Sequence, residues 1–155
     1  MTVSESLIFI RDMQVDDLGR ICEIEKLVFP DAWTARHFLF EIINDKSFCS
    51  VMEYNHIIVG YMVYMAIADE VHLNNIAVHP DYRRRGLGSQ LLDRLLRETK
   101  TGQVRFITLE VHEDNYAAQA LYRSRGFEEV GLRCGYYEHD SGNALIMTKY
   151  LKRED

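Results

Sequence analysis

The stretch from Asn75 to Ser89, NIAVHPDYRRRGLGS, constrains the fold more than any other part of the chain. Ile76-Ala77-Val78 reads as the end of a strand, and Pro80 closes it because proline cannot extend a sheet ladder. Arg83, Arg84 and Arg85 then lead to Gly86, Leu87, Gly88 and Ser89, and Leu87, Leu91, Leu92, Leu95 and Leu96 keep helical phase to about Thr99. A strand that passes through a short basic loop into an amphipathic helix leaves free backbone N–H groups at the helix start. Those groups, the helix dipole and the guanidinium groups suit an anion such as a phosphate. Glycine lets the backbone approach such a ligand closely. The pattern is neither GxGxxG nor a Walker loop, and taken by itself it also fits a plain basic helix start.

The rest of the chain alternates strand and helix signals. Residues 7–11 read as a strand, and Asp16 or Asp17 caps a helix that Pro30 stops after about Phe29. Leu18, Ile21, Cys22, Ile24, Leu27 and Val28 lie on or near one face of that helix. Thr34 caps a second helix to about Asn44, strands at 48–54 and 57–66 flank a turn at Asn55–His56, and 70–78 is another strand. Beyond the Gly86–Thr99 helix come a strand at 104–111, a helix from Asn115 to about Arg125 with Gly126 as left-handed cap, and strands near 127–134 and 143–150. The order implies an α/β fold, a mixed sheet with helices on both faces. A chain of 155 residues is expected to form a single domain, 1–155.

Charge and composition narrow the function. The net charge of −6 opposes nucleic-acid binding and suits a cationic ligand or peptide, though most of it also serves as ordinary solubility charge. No apolar run reaches the roughly 18–20 residues of a membrane span. The first ten residues, MTVSESLIFI, lack the basic start of a secretory signal, so a cytoplasmic address is expected. Cys22, Cys49 and Cys134 match neither a redox pair nor zinc-ligand spacing, and the six histidines are scattered. No metal and no membrane partner are expected.

The motif N-I-A-V-x-P-x-Y-R-R-R-G-L-G resembles the acetyl-CoA motif of the GNAT superfamily of N-acetyltransferases, whose R/Q-x-x-G-x-G/A pattern falls on Arg83 to Gly88. The resemblance covers about residues 7–150. It implies a mostly antiparallel seven-stranded sheet with about four helices, splayed between the fourth and fifth strands. It further implies that Arg83, Arg84, Arg85, Gly86, Leu87, Gly88 and Ser89 hold the pyrophosphate of coenzyme A. The backbone of Ile76, Ala77 and Val78 would bind the acetyl and pantetheine parts.

A second segment, Thr108 to Ala118 followed by Ala120-Leu121-Tyr122 and Arg125-Gly126-Phe127, resembles the L-E-V-R-x-S-N-x-x-A…L-Y…G-F run of RimI-type enzymes. Those acetylate protein N-termini, bacterial members the N-terminal alanine of a small-subunit ribosomal protein. By this resemblance Glu110 is the proton acceptor, Tyr122 the proton donor to the leaving thiolate and Asn115 a coenzyme A contact. Transfer would be direct, within a ternary complex. Strand alternation puts Phe106, Thr108, Glu110 and His112 on one face, where burial would raise the Glu110 pKa toward a value useful to a base. A solvated Glu110, a Tyr122 packed in the core beside Phe127, and an Asn115 that only caps its helix are the alternatives.

Arg133-Cys134-Gly135-Tyr136-Tyr137 resembles the family's R-x-x-Y-Y turn, which makes Tyr136 and Tyr137 candidates to hold the incoming N-terminus. Trp33 would floor the peptide groove or staple the helix corner. The chain departs from the pattern at His112, usually Arg, at Glu113-Asp114, usually small residues, at Glu138, usually Pro, and at Asn143, usually acidic. The expectation is an acetyl-CoA-dependent N-terminal acetyltransferase of a ribosomal protein, a monomer or weak dimer. A small-amine acetyltransferase, a broad-specificity N-terminal acetyltransferase and a non-catalytic acyl-CoA sensor are the competing readings.

Overall fold

The computed structural model describes residues 7–140 and 142–151. Its elements run β1 (Ile8–Asp12), α1 (Leu18–Val28), α2 (Ala35–Ile43), β2 (Ser47–Tyr54), β3 (Ile57–Ile67), β4 (Glu70–Val78), α3 (Leu87–Glu98), β5 (Phe106–His112), α4 (Tyr116–Ser124), β6 (Glu128–Arg133) and β7 (Ala144–Tyr150). The seven strands follow the order β1-β2-β3-β4-β5-β7-β6. The pairs β1–β2, β5–β7 and β6–β7 are antiparallel, whereas β4–β5 is parallel. The parallel register covers only Glu70–Leu73 against Phe106–Leu109, and the sheet splays beyond it. Among the described residues no helix is long and apolar enough to cross a membrane.

Two compact units divide the chain. One runs to Val63 and takes up Asn75–Leu92; the other comprises Tyr64–Asn74 and the chain from Asp93 onward.

In the first unit, Leu18, Ile21 and Ile24 of α1 join Phe38, Val51, Tyr61, Val63 and Ala77 in one core. The Phe38 ring meets Tyr61 edge-on at 5.6 Å. Each fully buried side chain of this size contributes roughly 2–3 kcal/mol. Pro30 ends α1 as expected: it forces Phe29 into an extended conformation (φ −119°, ψ 129°) after the last helical bond, from Phe29 N–H to the Glu25 carbonyl. Thr34 caps α2 by accepting the His37 N–H. Asn55 and His56 both take positive φ, the conformation of a tight hairpin turn.

Two expectations for α1 need correction. Asp17 does not cap the helix with its side chain; its carboxylate is taken by Arg11 at 2.9 Å and by the Gln14 N–H at 2.7 Å. Leu27 faces outward, 60 % exposed, and the buried place goes to Glu25, 1 % exposed. The Glu25 carboxylate accepts from Trp33 N–H (3.2 Å), from Asn75 Nδ2 (3.1 and 3.0 Å) and from the Tyr61 hydroxyl. These bonds tie the segment after α1 to β3 and β4. Burial outweighs them and raises the Glu25 pKa.

In the second unit, β5 alternates as expected: Ile107, Leu109 and Val111 are buried, and Phe106, Thr108, Glu110 and His112 occupy the other face. Asn115 caps α4 by accepting the Ala118 N–H at 3.1 Å. Gly126 closes it at φ +89°, where a Cβ would also meet the Lys149 ammonium at 2.7 Å.

Replacing Glu25 by alanine leaves three donors without their acceptor, the buried ones of Tyr61 and Asn75 worth about 1–3 kcal/mol each. Urea unfolding of Glu25→Ala should therefore show a loss of about 3 kcal/mol or more; a loss below about 1 kcal/mol would contradict this account of the first unit.

Candidate active site

In the first unit, β4 ends at Val78 and a short turn, Pro80–Tyr82, follows. His79 accepts the Asp81 N–H on its Nδ1 at 3.1 Å and so shapes that turn. Arg84 and Gly86 then take positive φ, +64° and +73°. The first helical bond of α3 runs from Gln90 N–H to the Gly86 carbonyl, so the N–H groups of Leu87, Gly88 and Ser89 precede the helical ladder. A Cβ at Gly86 would meet nothing within 4 Å, so the ground before the helix is open. Arg83, Arg84 and Arg85 are exposed there. This arrangement fits a pyrophosphate at a helix N-terminus.

The candidates in this unit are not equivalent. The Arg85 guanidinium lies over the rings of Tyr54 and Tyr82, at 5.5 and 5.3 Å, which leaves Arg83 and Arg84 as the less engaged cations. The Leu87 side chain is buried, so only its backbone faces the loop. Ala77 is buried and its neighbours Ile76 and Val78 are half-buried. Gly60 of β3 passes so close that a Cβ there would lie 2.8 Å from the Ala77 carbonyl oxygen. Trp33 packs on Phe38 and His37, with ring centroids 5.2 and 5.7 Å apart, and borders a small cavity with Cys22, Lys26 and Thr34. This packing is that of a staple in the helix corner.

The second unit carries the titratable cluster. Glu110 accepts or shares a proton with His72 Nε2 at 3.0 Å through one oxygen, and accepts from Arg133 at 3.1 Å through the other. The Arg133 guanidinium lies 5.1 Å from the centre of the Tyr136 ring. The expectation that burial raises the Glu110 pKa is overturned. The hydrogen bond from His72 acts most strongly, burial opposes it, and the charges of His72 and Arg133 tip the balance, so Glu110 falls below the usual carboxylate range.

Tyr122 is buried, its ring 5.8 Å from Phe127, and desolvation pushes its pKa up, with Tyr137 adding to the rise. It is therefore a core side chain and a firmly protonated phenol at once. Tyr137 stacks on His112 at 4.8 Å and meets Tyr136 edge-on at 5.0 Å. Glu110, Tyr122, Tyr136 and Tyr137 are thus gathered in one unit. Asn115 fills its cap role in that unit.

Glu25 and His72 escaped the sequence reading. Glu25 stands four residues after Ile21 on the apolar face of α1, a position whose helical phase alone signals a buried acid. His72 could be paired with Glu110 only through the parallel register, in which it stands opposite Thr108.

Comparisons with known proteins agree with this architecture. The profile of the acetyltransferase (GNAT) family matches residues 18–127. The [ribosomal protein bS18]-alanine N-acetyltransferase of Escherichia coli K12 is 34% identical over 140 residues, which are 89% of this chain and 94% of that protein. The crystal structure of the ribosomal-protein-S18-alanine N-acetyltransferase from Escherichia coli superposes with a TM-score of 0.88 at 30% identity, covering 96% of this chain and 97% of that one. Ard1 from Thermoplasma volcanium gives a TM-score of 0.85 at 25% identity over 93% and 97% of the two chains. With most of its length matched by the family profile and by full-length relatives, the chain belongs to the GNAT family of N-acetyltransferases.

Proposed function

We propose that this chain transfers the acetyl group of acetyl-CoA to the N-terminal α-amine of a protein, most directly the alanine N-terminus of ribosomal protein bS18 for which its relatives are named. The observation that carries the reading is the half-buried Glu110, kept ionised by His72 and Arg133, on the unit that also bears Tyr122, Tyr136 and Tyr137. A ribosomal substrate goes with a cytoplasmic enzyme. In this reading the two compact units work as one acetyltransferase domain.

Acetyl-CoA supplies an activated acyl group that needs no covalent enzyme intermediate. Arg83, Arg84 and the N–H groups of Leu87, Gly88 and Ser89 bind its pyrophosphate, with Arg85 held on its tyrosines behind them. The β4 backbone at Ile76–Val78 receives the acetyl and pantetheine parts. Asn115 lends a further contact from its cap position.

The attacking amine must be neutral. At pH 7 that costs about 1.4 kcal/mol for an α-amine of pKa about 8, against about 4.6 kcal/mol for a lysine of pKa about 10.4. Glu110 is too acidic to keep the proton it draws, so it acts as an anionic acceptor that orients the amine and passes the proton on to water. A weakly acidic α-amine suits such a relay better than a lysine does. Tyr122, held neutral by burial, donates to the departing sulfur. Tyr136, Tyr137 and Trp33 line the path of the peptide. Coenzyme A and the protein N-terminus are the partners in this reading, with the chain acting as a monomer or weak dimer.

Kinetics of the variants test these roles. Tyr122→Phe should lower kcat about 100-fold or more while acetyl-CoA binding persists; full turnover would remove Tyr122 from the donor role. Glu110→Gln should lower kcat/KM by about 100-fold without moving the limb of the pH profile between about pH 6 and 8. The sign follows from the lowered pKa: Glu110 is already ionised across that range, so the limb belongs to the amine. A limb that vanished with Glu110 would mean that the carboxylate itself titrates there. Gly60→Ala, which presses on the Ala77 carbonyl, should raise the KM for acetyl-CoA at least about fivefold; an unchanged KM would remove Ala77 from the acyl-CoA site.

A further inference from the structure

The turn between β6 and β7 is held at two places by side chains that depart from the family pattern. At its base, Asn143 accepts the Gly135 N–H at 2.9 Å and donates to Glu113 at 3.2 Å. At its tip stands His112, the last residue of β5. Its ring stacks on Tyr137 with an interplanar angle of 30°. Nδ1 accepts the Asp114 N–H at 3.0 Å, which leaves Nε2 as the protonated nitrogen facing Asp140 Oδ2 at 2.8 Å. The other Asp140 oxygen accepts the Gly142 N–H at 2.8 Å, and the Gly142 carbonyl accepts the Tyr137 N–H at 3.2 Å.

The fit around the ring is close. A Cβ at Gly142 would lie 2.4 Å from His112 Nε2, so glycine is the residue that leaves room for the imidazole. The tip carries Tyr137, which is within electrostatic reach of Tyr122, and Tyr136, which is within reach of Glu110. His112 therefore grips Tyr137 directly and reaches Tyr136 through the edge-on contact between the two tyrosines.

We propose that His112 is the positioning residue of the Tyr136–Tyr137 turn and thereby sets the affinity for the incoming peptide, through its stack on Tyr137 and its bridge to Asp140. The inference rests on the N-terminal acetylation reading for its consequence and on geometry alone for its cause. His112 replaces the arginine of the family pattern. An arginine has no ring with which to bridge Asp114 N–H and Asp140 in this way, so the grip depends on histidine at this position.

The test has two arms, so that the grip and the function are judged separately. Amide hydrogen exchange comes first, on the wild type, His112→Ala and Asp140→Ala. His112→Ala should speed exchange at Asp114, Tyr137 and Gly142 about tenfold or more, Asp140→Ala at Gly142 and Tyr137, and Gly135 should stay protected by Asn143. Unchanged exchange at those amides, or loss of protection throughout the chain, overturns the proposal. The second arm is steady-state acetylation of an alanine-starting peptide. Here His112→Ala should raise the peptide KM about tenfold with kcat and the acetyl-CoA KM within about twofold. His112→Phe, which keeps the stack and lacks the bridge, should recover part of the loss. A fall in kcat at unchanged peptide KM overturns the proposal. If the wild type acetylates no α-amine, the functional reading fails while the exchange data still decide whether His112 holds the turn.

Discussion

A buried carboxylate hydrogen-bonded only by neutral donors organises the first unit. Glu25 collects a hydroxyl, a side-chain amide and a backbone N–H from Tyr61, Asn75 and Trp33. Each donor lies on a different segment, so one acid defines where α1, the segment after it, β3 and β4 stand. An apolar residue of similar size would pack there, but it would leave those donors without partners, and the cost of orphaned buried donors is what makes the arrangement specific. Asn75 is immediately followed by Ile76–Val78, the backbone assigned to the acyl group. Trp33, proposed to border the path of the peptide, gives its N–H to the same carboxylate.

Two glutamates show how environment divides the labour among identical side chains. Glu25 has only neutral donors, and burial raises its pKa. Glu110 has His72 and Arg133, and its pKa falls although it too is largely buried. The first acid holds structure. The second stays charged at the pH where an α-amine is partly neutral, which suits the steering of a cationic N-terminus. The acidic balance of the whole chain works in the same direction.

Much of this was legible in the sequence because it depends on local rules. Pro30, Pro80, Thr34, Asn115 and Gly126 act on their own neighbours, and each ended or capped the element expected of it. The period of two in β5 placed Glu110 on its face correctly. What escaped depends on partners distant in sequence. The rise expected for Glu110 was an argument from burial alone, and a parallel strand brought His72 beside it while β6 brought Arg133. The helix start offers Asp16 or Asp17 as cap because acids favour that position, but Arg11 across the turn takes the Asp17 carboxylate. Leu27 and Glu25 exchanged the roles that hydrophobicity alone would assign, because Glu25 is in helical phase with Ile21 and its carboxylate finds donors on β3 and β4.

The most direct test of the central claim is intact-mass measurement of acetyl transfer to two matched peptides. Both begin with alanine and contain one internal lysine, and one has its N-terminus blocked. The account predicts a gain of one acetyl group on the free peptide alone. Acetylation of the blocked peptide, or of neither while acetyl-CoA still binds, would contradict it.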